Sequence, residues 1–272
     1  MKIRWFVPAT VALALAVLVP LDAQSRATAR PGAKAPAQPA AAARAERPVP
    51  FRVGETLGYD VSWSSYLTAG TATVTVREKR ASFGSTAYHI VAEGRPTPLL
   101  SKLYTLYYKA DTLLDAYSLL PQRGSVYSEE GRDRRTKTLS FNQGARSAVY
   151  EVQTATHVRR DLQLPPYSQD ALSAIYVLRA IPLKPGASIT MPVADSGRTY
   201  KVQVRVGSAE PVKTGLGTLN AWRVTPTIYD DRGRPNGRSM ALWISDDARR
   251  LPVKLQADLA VGSFQLTLRE AR

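Results

Sequence analysis

From residue 51 onward, apolar and polar side chains alternate with a period of two. Leu57, Tyr59, Val61 and Trp63 are separated by Gly58, Asp60 and Ser62. Ala72, Val74 and Val76 are separated by Thr73 and Thr75, and Tyr200, Val202, Val204 and Val206 by Lys201, Gln203 and Arg205. The pattern returns in Leu251 to Leu259 and in Phe264, Leu266 and Leu268. Successive side chains of a strand point to opposite faces, so each run buries one face and wets the other. One-sided sheets are antiparallel, because parallel sheets are covered on both faces and read as continuous apolar runs.

Turn chemistry punctuates these runs. Ala69-Gly70 is expected between the first two strands, with further turns at Glu129 to Gly131, Asn142 to Gly144, Asp231 to Gly233, Asn236-Gly237 and Asp246 to Arg250, and Gly262 opening the last strand. About eleven or twelve strands are expected. Two segments differ. Residues 168–180 have helical spacing at Leu172, Ile175, Tyr176 and Arg179, with Ser168 as N-cap, Asp170 near the positive helix end and Pro182 as stop. Residues 98–115 read as a short helical turn followed by a strand. The expected fold is mainly β: a single curved antiparallel sheet or open β-barrel wrapping one or two short helices, over 51–272 as one domain.

The N-terminus is a different material. Lys2 and Arg4 precede an apolar run from Val7 to Leu21, and Ala23 offers a small residue at a cleavage site. Residues 1–23 therefore read as a secretory signal peptide. The run is short for a spanning helix, which needs roughly 20 apolar residues, and no later stretch approaches that length. Residues 24–50 contain ten Ala and five Pro among spaced cations and read as a disordered linker. Its role is a spacer, or an arm touching anionic polymer or lipid. The expected address is exported, periplasmic or secreted.

The chain has 37 Lys and Arg, 22 Asp and Glu, and a formal charge of +15. Nucleic-acid binding is set aside, because the export signal leads away from it and the cations sit on wet strand positions and turns. Cysteine is absent, which excludes disulfides, thiolate metal sites and thiol nucleophiles. His89 and His157 are the two histidines, too few for a histidine metal cluster, and no cofactor is expected. Serine–histidine chemistry lacks a G-x-S-x-G elbow. Lys213-Thr214-Gly215 has no S-x-x-K companion and reads as a strand end entering a turn. The adjacent acid pairs Glu129–Glu130, Asp230–Asp231 and Asp246–Asp247 lie in turn-rich segments, where neighbours point apart. No metal or phosphate-loop pattern occurs.

The aromatic residues remain. Trp63 and Trp222 follow the apolar alternation. Trp243 falls opposite Leu242 and Ile244, so it faces out or sits beneath a loop. Aromatics commonly fill cores; the functional alternative is a pocket for an apolar or amphipathic ligand, for which Trp63, Tyr104, Tyr108, Tyr176 and Trp222 are the candidates.

Several segments together resemble an exported bacterial family, domain of unknown function 3108. They are Phe51-x-Val53-Gly54-Glu55-x-Leu57-x-Tyr59, Ala69-Gly70, Asp170 to Gly186 with Leu178-Arg179 and Pro182-Leu183, Gly217 to Trp222, and Trp243 to Val253. The resemblance covers about 51–270 and implies a periplasmic or secreted, sheet-rich protein with no established activity. The leading reading is a non-enzymatic envelope protein binding a lipid-like ligand in an open barrel. The alternative is a structural or interaction module of an envelope complex or polymer. A hydrolase using carboxylates alone is a third.

Overall fold

The alternating runs pair as one antiparallel ladder in a computed structural model that describes residues 45–63, 67–236, 239–259 and 262–272. The expected signal peptide, most of the expected linker and Gly237 lie outside the described residues. The strands are β1 (Thr56–Trp63), β2 (Leu67–Ser82), β3 (Ser85–Pro96), β4 (Leu106–Asp115), β5 (Pro121–Glu130), β6 (Asp133–Asn142), β7 (Ser147–Gln153) and β8 (His157–Gln163). The series continues with β9 (Ser188–Asp195), β10 (Arg198–Thr214), β11 (Gly217–Tyr229), β12 (Met240–Ser245), β13 (Pro252–Leu259) and β14 (Gly262–Ala271). Helix α1 (Pro98–Leu103) precedes β4, and α2 (Ala171–Ala180) precedes β9. The sheet has 14 strands in the order β8-β7-β6-β5-β4-β3-β2-β1-β14-β13-β12-β11-β10-β9.

That order has a simple logic. Each strand pairs with the next along the chain except β8 with β9, and the first strand pairs with the last, from Leu57 opposite Ala271 to Trp63 opposite Phe264. The sheet is not closed: β8 and β9 are its two edges. These edges are the strands whose alternation is weakest in the sequence, and the sheet exceeds the expected eleven or twelve. Ala69-Gly70 is not the first turn. It lies inside β2, where Gly70 faces Val61 on one side and Pro96 on the other. A Cβ at Gly70 would stand 2.1 Å from the Arg95 carbonyl oxygen, so the glycine serves close strand approach.

The sheet curls around α2. Asp170, not Ser168, caps this helix. The Asp170 carboxylate accepts from the Ser173 backbone N–H at 2.8 Å, and the Ser173 hydroxyl answers the Asp170 backbone N–H at 2.9 Å, a capping box. Ser168 is buried and donates to the Pro165 carbonyl. Thr112 donates to the other Asp170 oxygen at 2.6 Å. Burial of this carboxylate pushes its pKa up to about 6, despite the hydrogen bonds that pull it down.

One face of α2 places Leu172 and Tyr176 against Phe51, Val76, Ile90 and Leu114. The opposite face places Ala174 and Leu178 against Val193, Val202, Val204 and Val224. The end of the expected linker joins this core. Val49 packs against the Phe51 cluster, Arg47 donates its backbone N–H to Ala116, and Glu46 pairs with Lys79 at 2.6 Å.

Arg179 anchors the C-terminal end of α2. Its guanidinium meets Glu55 through two bonds, of 2.6 and 2.9 Å. It also donates to the carbonyls of Arg250 and Arg249 at 2.9 and 3.1 Å. The rings of Phe51 and Tyr176 lie 5.4 and 5.0 Å from it. Arg179 is 1% exposed and Glu55 5%. The carbonyls are presented by a turn that builds itself: Asp247 accepts the N–H groups of Arg249 and Arg250, and Ser245 exchanges bonds with Leu251 and Asp247.

The convex side is covered in one place. Beyond a bulge between Val206 and Ala209, the β10–β11 hairpin reaches β14, where Gly215 donates to the Leu268 carbonyl at 2.8 Å. Trp243 is buried with Val212 and Ala221 of this hairpin, and its indole donates to Glu210. It sits beneath a hairpin rather than a loop, flanked in register by Arg223 and Lys254.

Two outcomes follow from these anchors. Arg179→Met leaves Glu55 buried and unpaired, and should cost about 3–5 kcal/mol in urea unfolding, whereas Arg179→Met with Glu55→Leu should cost far less; a single-variant loss below about 1 kcal/mol would refute the anchoring role. Asp170 has a higher pKa folded than unfolded, so its ionisation weakens the fold as pH rises from about 4 through 6. Asp170→Asn keeps the cap without the charge. Its stability relative to the parent should therefore rise by on the order of 2 kcal/mol between pH 4 and 7, by denaturation at each pH.

Candidate ligand cavity

The concave face is built from cross-strand rows. On one side, Leu57, Val74, Ala92, Ala110 and Val126 face one another across β1 to β5. On the other, Val61, Leu266, Leu255, Leu242, Val224 and Val206 continue the same face across β14 to β10. Helix α2 divides the interior. Its residues Ala171, Ala174, Ile175 and Leu178 recur at the i, i+3, i+4, i+7 spacing of a single helix face and look toward β9–β13. Two of the four are alanines, and a space is left over them.

That space is a cavity of about 90 Å³, partly open to solvent, bounded by α2 and by Met191, Val193, Val202, Val204, Pro226, Met240 and Leu255 among others. Every residue lining it is apolar. Its volume is roughly two-thirds of an engineered apolar cavity of about 150 Å³ that binds benzene. The rest of the concave face is occupied by the clusters around α2.

Strand β9, which gives Met191 and Val193 to the cavity wall, runs on to meet the opposite edge region of the sheet. Past Val193, β9 continues through Ala194 and Asp195 into a tight turn. Ala194 packs with Leu139, Tyr150 and Leu164 of the opposite edge region. Ser196 receives Lys137 Nζ at 3.3 Å and donates to Asp195 at 3.0 Å. Gly197 has φ +74°, and a Cβ there would stand 2.9 Å from a Tyr150 ring carbon. The turn is thus seated on β6–β8 by packing, without ladder bonds. Burial pushes the Asp195 carboxyl up to about 6, opposed by Lys137. Tyr200 faces Val193 in register, is 5% exposed, and its hydroxyl is buried without a hydrogen-bond partner.

None of the five aromatic candidates lines the cavity. Trp63 is half-buried with its ring 6.4 Å from that of Phe264. Tyr104 is 42% exposed beyond α1, against Gly131. Tyr108 is buried and donates to Glu130. Tyr176 is inside α2, edge-on to Phe51 at 4.8 Å. Trp222 is half-buried and donates its indole N–H to Asp246 at 2.8 Å. The reason is volume: large rings fill space, whereas a void forms where alanines and branched aliphatics leave it. The small residues Ala171 and Ala174 at helical spacing were the available signal.

The acid pairs behave as structure. Glu129 takes the Tyr127 hydroxyl while Glu130 takes that of Tyr108 on the other face. Asp230 accepts from Arg232 and Arg234 within its turn. Among the described residues, no group of three or more His, Asp or Glu is placed to hold a metal ion, and no helix is long and apolar enough to cross a membrane.

Among solved structures the chain is similar, at low identity, to two bacterial proteins. A β-barrel-like protein of domain of unknown function DUF1849 from Brucella abortus is 14% identical, with a TM-score of 0.49 over 80% of this chain and 97% of its own. A protein with a YmcC-like fold from Bacteroides fragilis is 11% identical, with a TM-score of 0.33 over 84% of this chain and 100% of its own. No curated protein matches the chain. The sequence matches the family described as protein of unknown function DUF3108 over residues 58–269. That match spans most of the sequence, and the chain belongs to the DUF3108 family.

Proposed function

We propose that this chain is an exported, non-enzymatic protein of the bacterial envelope that holds an apolar or amphipathic ligand inside its curved sheet. The observation that carries the reading is the wholly apolar cavity between α2 and the β9–β13 wall. Apolar walls offer water no hydrogen-bond partners there and favour an apolar guest. The export half rests on the charged start, apolar run and small cleavage residue at 1–23.

The engagement of the buried carboxylates supports a non-enzymatic role. Asp170 is consumed by its capping box and Thr112, and Asp195 by Ser196 and Lys137. Neither is left free for acid–base work. An interaction module pairing through the open edge is disfavoured by the charges on β8, where Arg159, Arg160 and Asp161 are exposed; charged edge strands resist edge-to-edge pairing.

The test is native mass spectrometry of the purified full chain with solvent extraction of bound material, followed by uptake of a fluorescent acyl probe. A stoichiometric apolar guest or saturable uptake is expected. Ala174→Phe fills the cavity from α2. It should lower probe uptake at least tenfold at a cost of about 1–3 kcal/mol in unfolding stability. An empty protein that takes up no probe defeats the reading.

A further inference from the structure

The two ends of the sheet differ in what they expose. One end holds the start of β1, the turns β2–β3, β4–β5, β6–β7, β10–β11 and β12–β13, and the C-terminus of α2. Four of the exposed large apolar side chains lie there: Val53, Phe83, Tyr167 and Leu216. Tyr167 is tied to this end because Gln143 of the β6–β7 turn donates to the neighbouring Ser168 carbonyl at 2.9 Å. The others, Leu99 on α1 and Tyr104 just after it, are at the opposite end. Phe83 and Tyr167 are 71% and 74% exposed, with φ of +47° and +63°. Phe83 and Gly84 (φ +72°) form a two-residue hairpin turn of the kind that favours Asn-Gly. A bulky ring on left-handed backbone costs energy, and an exposed ring recovers none of it by burial. The fold gains nothing from either ring.

Charge at the same end is the second observation. Its connecting segments and the C-terminus expose the cations Arg47, Arg52, Arg146, Lys184, Arg249 and Arg272, against the acids Glu46, Asp246 and Asp247. Those acids are engaged: Glu46 pairs with Lys79 at 2.6 Å, Asp246 accepts the Trp222 indole N–H, and Asp247 holds its own turn. Glu270 is held by Arg269 and Arg272, while Glu55 and Asp170 are buried. Arg52, Arg146, Lys184 and Arg249 have neither an ion pair nor a side-chain hydrogen bond. At the opposite end, Lys102 and Arg132 stand beside Glu129, Glu130 and Asp133. A third observation is where the chain enters. Arg47 donates its backbone N–H to Ala116 and its Nε to the Tyr117 carbonyl, which fixes the entry at the basic end. Residues 24–44, which precede it, carry Arg26, Arg30, Lys34 and Arg44 and no acid.

We infer that this end of the sheet docks against an anionic lipid bilayer, with Phe83 and Tyr167 entering the headgroup region and Arg52, Arg146, Lys184 and Arg249 meeting the lipid phosphates. Aromatic rings with one apolar and one wet side suit that region. Cations are drawn to an anionic leaflet within about a Debye length, and arginine matches phosphate with two parallel donors. Neither signal alone holds a protein on a membrane firmly, and here both occur at one end. The docking uses no residue of the cavity, so it stands or falls apart from the ligand reading.

Because the chain has no cysteine, single cysteines can report on each end. Phe83→Cys, Tyr167→Cys and Leu99→Cys, each in the full chain and labelled with an environment-sensitive fluorophore, are mixed with phosphatidylcholine vesicles, plain or containing phosphatidylglycerol. The labels at 83 and 167 should shift to the blue with the anionic vesicles, less so as salt is raised, and the label at 99 should not move. Arg52→Gln with Lys184→Gln, both surface changes, should weaken the affinity read by the label at 83 by about tenfold or more. Phe83→Asn with Tyr167→Asn should unfold at the same or a higher temperature, because Asn accepts left-handed backbone. A fall of several degrees would make the rings structural and overturn the inference. So would an equal shift at 99, or an equal shift with uncharged vesicles. Vesicle attachment with all three labels unmoved would assign binding to the N-terminal segment alone and overturn it as well.

Discussion

The Arg179–Glu55 pair fixes the relation between the helix and the sheet. A curved sheet with a helix inside it can be assembled with that helix at many depths, since aliphatic contacts tolerate sliding. A buried guanidinium does not, because its donors must each find an acceptor in one geometry. Here the acceptors come from the residue preceding β1 and from the 246–250 turn before β13, while the donor is on α2. Three regions far apart in sequence are locked by one side chain. The cavity on the far side of α2 takes its dimensions from that lock, since Leu178 and Ile175 are held at a set distance from the β9–β13 wall.

This places the family-like segments in a new light. Phe51 to Tyr59, Leu178-Arg179 and Trp243 to Val253 are separate in sequence, yet they meet around Arg179. Phe51 and Tyr176, edge-on to each other, both adjoin the guanidinium, Glu55 neutralises it, Ser245 and Asp247 shape the turn that feeds it carbonyls, and Tyr59 donates to the Pro252 carbonyl at 2.9 Å. These segments hold the fold together, and of the residues just named with them only Leu178 also lines the cavity. A search for function among them looks at the frame.

Much of the fold was legible because alternation is a direct image of a half-buried strand. The antiparallel sheet, the helix over 168–180 and the short helix before β4 could all be read. The edges β8 and β9 could not, since an edge strand buries less and its pattern fades. The cap was misplaced by two residues because both Ser168 and Asp170 are good caps, and only the reach to Ser173 decides between them. The site was less legible than the fold. Aromatic residues draw attention as ligand contacts, yet Tyr108, Tyr176 and Trp222 each have a structural task. The void depends on the alanines of α2 and on where the β9–β13 wall stands over them. Those are relations between elements, and a linear pattern does not encode them.

The pairing of β1 with β14 has a consequence for the order in which the protein acquires its structure. The ladder is continuous from β8 to β1 and from β14 to β9, and each half can form locally from hairpins. The joint between the halves is made by the two strands farthest apart in the sequence, so its closure carries the largest loop entropy in the molecule. A chain made N-terminus first keeps the long edge of β1 open until β14 has been made. The same feature that places β1 and β14 at the middle of the sheet delays assembly and leaves the joint between the two halves to be made last.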